Sequence, residues 1–144
     1  MFACLLIGAF GLFVQSRALD LQSRQFADQS ALAVLGSWDE QDLLDRGAAQ
    51  LIAAQTDAER DDLFAGWSQL GELRHYAGSR GGAKVTLTRG GALVTANYVG
   101  KAEFSHGNAL VKLALVREKG AWRVLGFGVY PGADALDTRE ASNR

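Results

Sequence analysis

The stretch from Ala83 to Tyr130 constrains the fold most strongly, because it alternates strand-like runs with glycine-containing turns. Gly90-Gly91 fits a two-residue hairpin turn, and Gly107 and Gly120 mark the other two turns. Strands joined by such short turns must run antiparallel. The sequence therefore predicts a four-stranded antiparallel meander, with strands at 83–89, 92–104, 109–117 and 121–130.

The residues before the meander have the periodicity of helices. Apolar side chains recur at helical spacing in three segments, Leu19–Leu35, Trp38–Ala54 and Thr56–Leu70. The second and third segments each begin at a Ser/Thr-x-x-Glu pattern, Ser37 to Glu40 and Thr56 to Glu59, which is the capping box that starts a helix. We expect residues 73–77 to form at most a short edge strand and residues 78–82 to form a glycine-rich loop. Helices followed by an antiparallel meander predict an α+β fold, with an N-terminal apolar helix and about three further helices on the sheet.

The first fourteen residues, Met1 to Val14, contain no charged side chain. This run is shorter than the roughly 20 residues of a membrane span, but it matches the apolar core of a signal peptide. A basic segment before it and a small-x-small cleavage pattern are both missing. Three interpretations stay open: an uncleaved signal anchor, a cleaved signal peptide, and a buried N-terminal helix. The first two predict a domain outside the cytoplasm, at the cell membrane or in the periplasm.

These boundaries divide the chain into three parts. Residues 1–18 are the signal anchor or signal peptide and would contact the membrane, residues 19–131 form the α+β domain, and residues 132–144 form a polar, flexible tail. A net charge of −1 argues against a nucleic-acid partner, which requires a basic face. The single cysteine, Cys4, has no second cysteine with which to form an internal disulfide.

The closing segment Lys119–Val129, which reads KGAWRVLGFGV, resembles the last strand of small bacterial exported domains of the cystatin-like, nuclear-transport-factor-two-like superfamily. The segment WSQLG, from Trp67 to Gly71, resembles the end of the third helix of those domains. The resemblance covers residues 19–130. It implies a curved sheet that forms a cone with the helices, and sheet-face dimers are common among such proteins. These motifs are structural, so they imply a fold and no particular reaction.

Candidate chemical groups are few. His75-Tyr76 would place an acid–base pair at the mouth of the cone, and Tyr98 would donate a hydrogen bond if its face of the strand lines the cone. Gly126 and Gly128 share one face of the last strand and leave room for a ligand, whereas Trp122 is a candidate contact residue after a turn. The two histidines, at 75 and 106, make no metal-ligand pattern. We predict no catalytic residue, no metal site and no cofactor.

The leading hypothesis is a non-catalytic accessory domain, exported or tethered to the membrane, that binds a protein partner or a second copy of itself through its curved sheet. One alternative is a small-molecule binder with an apolar pocket inside the cone. Another is a small isomerase or dehydratase that uses His75 or Tyr98.

Overall fold

The computed structural model describes residues 2–132, with side chains from Arg17 onward. Within these residues an α+β fold is formed by four helices and four strands. The helices are α1 (Phe2–Ser37), α2 (Glu40–Leu44), α3 (Ala49–Ala54) and α4 (Asp57–Ser68), and the strands are β1 (Leu73–Thr88), β2 (Gly91–Phe104), β3 (Gly107–Glu118) and β4 (Ala121–Pro131). The strands form one antiparallel sheet in the order β1-β2-β3-β4. The predicted α+β class and the predicted four-stranded antiparallel meander are therefore confirmed.

Parts of the prediction fall on residues that the structure does not describe. The side chains of the first sixteen residues, which make up most of the predicted membrane segment, and the predicted tail from residue 133 onward lie outside the described set. A search of the described residues finds no helix that combines the length and the apolar character needed to cross a membrane.

The predicted second helix, Trp38–Ala54, is instead two short helices, α2 and α3. The chain leaves helical conformation around Gly47 because its backbone pairs there with the edge of the sheet. The Ala48 amide donates to the Val124 carbonyl at 2.8 Å, and the Val124 amide donates to the Arg46 carbonyl at 2.8 Å. The backbone groups that a continuous helix would satisfy internally are thus satisfied by β4.

The two predicted capping boxes have different outcomes. At the start of α4 the Thr56 hydroxyl accepts from the Glu59 amide and the Glu59 carboxylate accepts from the Thr56 amide, so this capping box is confirmed. The box predicted at Ser37 is wrong, because Ser37 is still part of α1 and its hydroxyl donates to the Ala33 carbonyl. Asp39 caps α2 in its place.

The predicted glycine loop at 78–82 is also wrong, because β1 continues through it. The register shifts between Tyr76 and Ser79, where the strand bulges, and pairing with β2 then resumes. Gly81 lies so close to β2 that an added Cβ atom would come within 1.8 Å of the Asn97 carbonyl oxygen. The glycines therefore allow close pairing of β1 with β2, where the sequence alone suggested a break.

The helices pack on one face of the sheet, which we call the inner face. Its side chains alternate along the strands and are largely buried; they include Ala96, Tyr98, Val111, Leu113, Leu115, Val124 and Val129. Side chains from α1 and α4, including Leu35 and Phe64, complete this core. The aromatic rings of Trp67 and Phe127 meet edge to face with centroids 5.7 Å apart, which ties α4 to β4.

α1 runs antiparallel to β1 across the inner face. Near the end of α1, Trp38 Nε1 donates to the carbonyl of Gly71, just before β1 begins. Eighteen residues earlier in α1, the Asp20 carboxylate accepts from the amide of Ala83, far along β1. The N-terminal part of α1 therefore lies toward the end of the sheet where β1 turns into β2.

Candidate functional site

The second face of the sheet, which we call the outer face, carries the alternate side chains. Its residues include Asn97, Val99, Lys101, Lys112, Ala114 and Tyr130. Several are well exposed, among them Val99 at 40% and Tyr130 at 47%. Two apolar residues of the same face, Leu110 and Val116, are buried. The outer face therefore carries two buried apolar side chains among exposed ones.

A depression of about 370 Å³ lies on this face. It is lined by residues of three neighbouring strands, Asn97, Tyr98, Val99, Lys112, Leu113, Ala114, Gly126, Phe127, Gly128 and Tyr130. Gly126 and Gly128 form part of its floor because they pair with Ala114 and Lys112 and lack side chains of their own. The missing Cβ atom leaves the sheet backbone accessible from outside at Gly126, whereas the backbone at Gly128 lies under a neighbouring aromatic ring.

The ring of Tyr130 covers one side of the depression. A Cβ atom added at Gly128 would lie 2.8 Å from Cε2 of this ring, so the ring rests directly on the glycine. Such stacking of an aromatic ring on a glycine of a strand shields the bare backbone. The Lys112 ammonium lies 5.1 Å from the centre of the same ring, in the range of a cation–π interaction. An aromatic ring and a cation thus stand together beside an apolar floor.

Basic side chains predominate on the outer face. By register and exposure these are Arg80, Lys84, Lys101, Lys112 and Arg123, against the two acidic residues Glu103 and Glu118. A patch of this kind favours a partner surface that carries acidic groups.

Tyr98 lies on the inner face and is 1% exposed. Its hydroxyl is 2.6 Å from Ser23 Oγ and donates to the Asp20 carbonyl at 3.0 Å. Ser23 Oγ also lies 3.2 Å from the Asp20 carbonyl oxygen, so the two hydroxyls and this carbonyl form one hydrogen-bonded cluster. The hydrogen-bonding capacity of the Tyr98 hydroxyl is therefore taken up by α1. Although Tyr98 borders the depression on the outer face, its side chain extends from the opposite face.

His75 and Tyr76 point to opposite sides of β1, so the structure does not bring them together as an acid–base pair. His75 is exposed and pairs with Glu103, whereas Tyr76 turns inward and pairs with Ala102. The Tyr76 hydroxyl donates to the Asp28 carboxylate at 3.2 Å. Burial, followed by the nearby charge of Asp28, raises the pKa of Tyr76 well above the usual tyrosine range.

Sequence reasoning missed the role of Asp28, which binds three donors of β1. One of its carboxylate oxygens accepts from the Tyr76 hydroxyl, from the Ser79 hydroxyl at 2.7 Å and from the Ser79 amide at 3.1 Å. This carboxylate satisfies backbone and side-chain donors at the bulge of β1. The signal in the sequence was a set of polar residues, Asp20, Ser23 and Asp28, that are spaced three and five residues apart in the same helix as the core residues Ala27 and Ala31.

Trp122 lies on the inner side of β4, opposite Arg117, and is half-buried against the core. Its indole N–H has no hydrogen-bond partner within the described residues. His106 is exposed in the turn between β2 and β3, with Nδ1 3.3 Å from the Gln69 carbonyl oxygen. Across residues 17–132, no three histidine, cysteine, aspartate or glutamate side chains are grouped as metal ligands.

In comparisons with protein-family models, curated proteins and solved structures, nothing matches this chain. The geometry of its own residues therefore supplies the functional argument.

Proposed function

We propose that this protein is a non-catalytic accessory domain, tethered to or exported across the membrane by residues 1–18, that binds a protein partner through the outer face of its sheet. The partner is either another protein or a second copy of this chain. We further infer that the sheet and helices form the cone of the cystatin-like fold, with the N-terminal apolar helix as the tether. The sequence resemblance in the closing strand supports this fold assignment.

The observation that carries the proposal is the depression on the outer face. Its apolar floor and the exposed ring of Tyr130 are typical of the centre of a protein interface, where aromatic and apolar side chains predominate, and Lys112 beside the ring fits the polar rim. The surrounding basic side chains favour a partner with acidic groups, because complementary charge guides encounter and fixes orientation.

A second candidate is a small-molecule binder that uses the same depression. Its volume of about 370 Å³ lies within the range of small-ligand sites, and Gly126 would let an apolar ligand approach the backbone. The ligand would then sit outside the sheet, because Gly126 and Gly128 belong to the outer face.

The proposal is tested by photo-crosslinking in the native host. A photoreactive residue is placed at Val99, which borders the depression and is 40% exposed, and as a matched control at Ile52 in α3, which is 43% exposed. We expect a discrete crosslinked species from position 99 and none from position 52. A product at twice the subunit mass identifies a second copy, and any other discrete product identifies a different protein.

Equal crosslinking from both positions, or none from position 99, would contradict a specific interface on this face. In the latter case native mass spectrometry of the extracted protein tests the second candidate, which requires a small-molecule adduct. The tether is tested separately by fractionation. Recovery of the intact protein in the soluble cytoplasmic fraction would contradict it.

A further inference from the structure

We propose that the distal hairpin, residues 84–94, contacts an anionic lipid surface beside the N-terminal segment. The inference rests on the proposed tether but not on the partner proposed for the outer face. It assigns a second membrane contact to the tip of β1 and β2, which the tether alone does not require.

The first observation is the exposure of large apolar side chains at this tip. On the inner-face side of the tip, Leu87 is 85% exposed and Val85 is 53% exposed; on the outer-face side, Leu93 of β2 is also exposed. Val85 pairs with Val94 across the strands, so part of this apolar surface continues the inner face beyond the packed core. Contiguous apolar side chains left in solvent mark a site of contact with another protein or with a membrane.

The second observation is the charge around these side chains. Residues 73–102 contain five basic residues and no acidic residue, and two of the five, Lys84 and Arg89, lie on the distal hairpin itself. Residues 39–62, which include α2, α3 and the first part of α4, contain eight acidic and two basic residues. Charge is therefore segregated within a chain whose net charge is only −1. Basic residues that flank exposed apolar ones favour binding at the surface of an anionic bilayer. The apolar side chains enter the lipid there, and the basic side chains remain at the headgroups.

The third observation is the direction of α1. Because α1 runs antiparallel to β1, its N-terminal end lies toward the turn at Arg89-Gly90. A chain held to a membrane at residues 1–18 would therefore present the distal hairpin on the membrane side. A lipid surface accounts for the exposure, the charge and the position of the hairpin together, whereas a protein partner accounts only for the exposure and the charge.

The test uses the full chain reconstituted in lipid vesicles, with Cys4→Ser to remove the native thiol. An environment-sensitive fluorophore is attached at Leu87→Cys and, as a matched control, at Ile52→Cys. The control lies in α3, which packs against β4, the opposite edge of the sheet from β1. The vesicles are pure phosphatidylcholine or phosphatidylcholine with phosphatidylglycerol, and vesicle flotation reports attachment of the protein in every sample.

We expect the label at position 87 to shift to shorter wavelength and to be quenched by spin-labelled lipid in the anionic vesicles. Lys84→Glu with Arg89→Glu, and raised salt, should remove most of that shift while the protein still floats. The label at position 52 should remain in water throughout. Lys84 and Arg89 are both exposed, so the double charge reversal should leave the fold intact.

Four results would overturn the inference. If the protein floats while both labels remain in water, the tether is retained and contact of the hairpin with lipid is refuted. An equal shift in neutral and anionic vesicles, unaffected by the charge reversal, refutes recognition of anionic lipid. A label at position 87 that is already shielded without vesicles shows that a second copy or the N-terminal segment covers the hairpin. Failure to float in any vesicle refutes the tether and with it this inference.

Discussion

Replacement of Tyr98 by phenylalanine tests whether the buried hydroxyl is structural, as its contacts with α1 indicate. The side chain is 1% exposed and lies in the middle of β2. The substitution keeps the ring, so the packing of the core is retained and no large cavity opens. It removes the two contacts of the hydroxyl, to Ser23 Oγ at 2.6 Å and to the Asp20 carbonyl at 3.0 Å.

The expected magnitude follows from these two contacts. A hydrogen bond within a protein contributes about 1 kcal/mol net, so the loss of two should cost about 2 kcal/mol. Once the tyrosine hydroxyl is gone, Ser23 Oγ can donate its proton to the Asp20 carbonyl 3.2 Å away, which limits the penalty for an unsatisfied group. For a folded domain of this size, 1 kcal/mol corresponds to about 4 °C in the melting temperature, so we expect a decrease of about 8 °C.

Urea unfolding of four proteins measures the effect: the parent, Tyr98→Phe, Ser23→Ala and the double variant. The cycle should give a coupling energy of about 1 kcal/mol, because Ser23 and Tyr98 share one hydrogen bond. Tyr130→Phe is the matched control, since its side chain is 47% exposed and its loss of a hydroxyl should change stability by less than about 0.5 kcal/mol. The reasoning is refuted if Tyr98→Phe costs no more than Tyr130→Phe, or if the coupling energy is zero within error.

Three further predictions concern other parts of the fold. The pKa of Tyr76 is raised in the folded state, so its contribution to stability is fully present below the unfolded pKa of about 10 and is lost as the pH rises from there toward the folded pKa. Alkaline unfolding curves should therefore fall less steeply above pH 10 for Tyr76→Phe than for the parent, and parallel curves would contradict this. Gly81→Ala should destabilise the protein by more than about 2 kcal/mol in urea unfolding, because the added Cβ atom meets the β2 backbone at 1.8 Å. Gly66→Ala, in α4 with no neighbouring atom within 4 Å, should instead stabilise the protein by about 0.5–1 kcal/mol. If both glycine substitutions change stability in the same direction, the room available for the added Cβ atom does not decide the outcome. Thr56→Ala removes a hydrogen bond of the capping box and should cost about 1 kcal/mol by thermal unfolding, whereas Thr56→Ser should retain stability.

The candidate site was only partly predictable from the sequence. The alternation of β4 correctly placed Gly126 and Gly128 on one face, but it did not indicate which of the two faces the helices cover. The small-molecule alternative needed the two glycines on the face that the helices cover, but they lie on the outer face of the sheet. The pair His75 and Tyr76 could not form a common site, because neighbouring residues of a strand point to opposite faces.

Local patterns of the sequence determined the fold class, the four strands, their antiparallel order and the start of α4 at its capping box. Each of these depends on residues within a few positions of one another, namely turn glycines, alternation and hydrogen bonds at a helix start. Only the tertiary structure decided the break at Gly47, the continuous pairing of β1 through 78–82, and the binding of β1 donors by Asp28. In each case the deciding contact joins residues far apart in the chain: Ala48 with Val124, Gly81 with Asn97, and Asp28 with Ser79. A local pattern cannot report such a contact, because the partner that satisfies the backbone is set by the packing of distant elements.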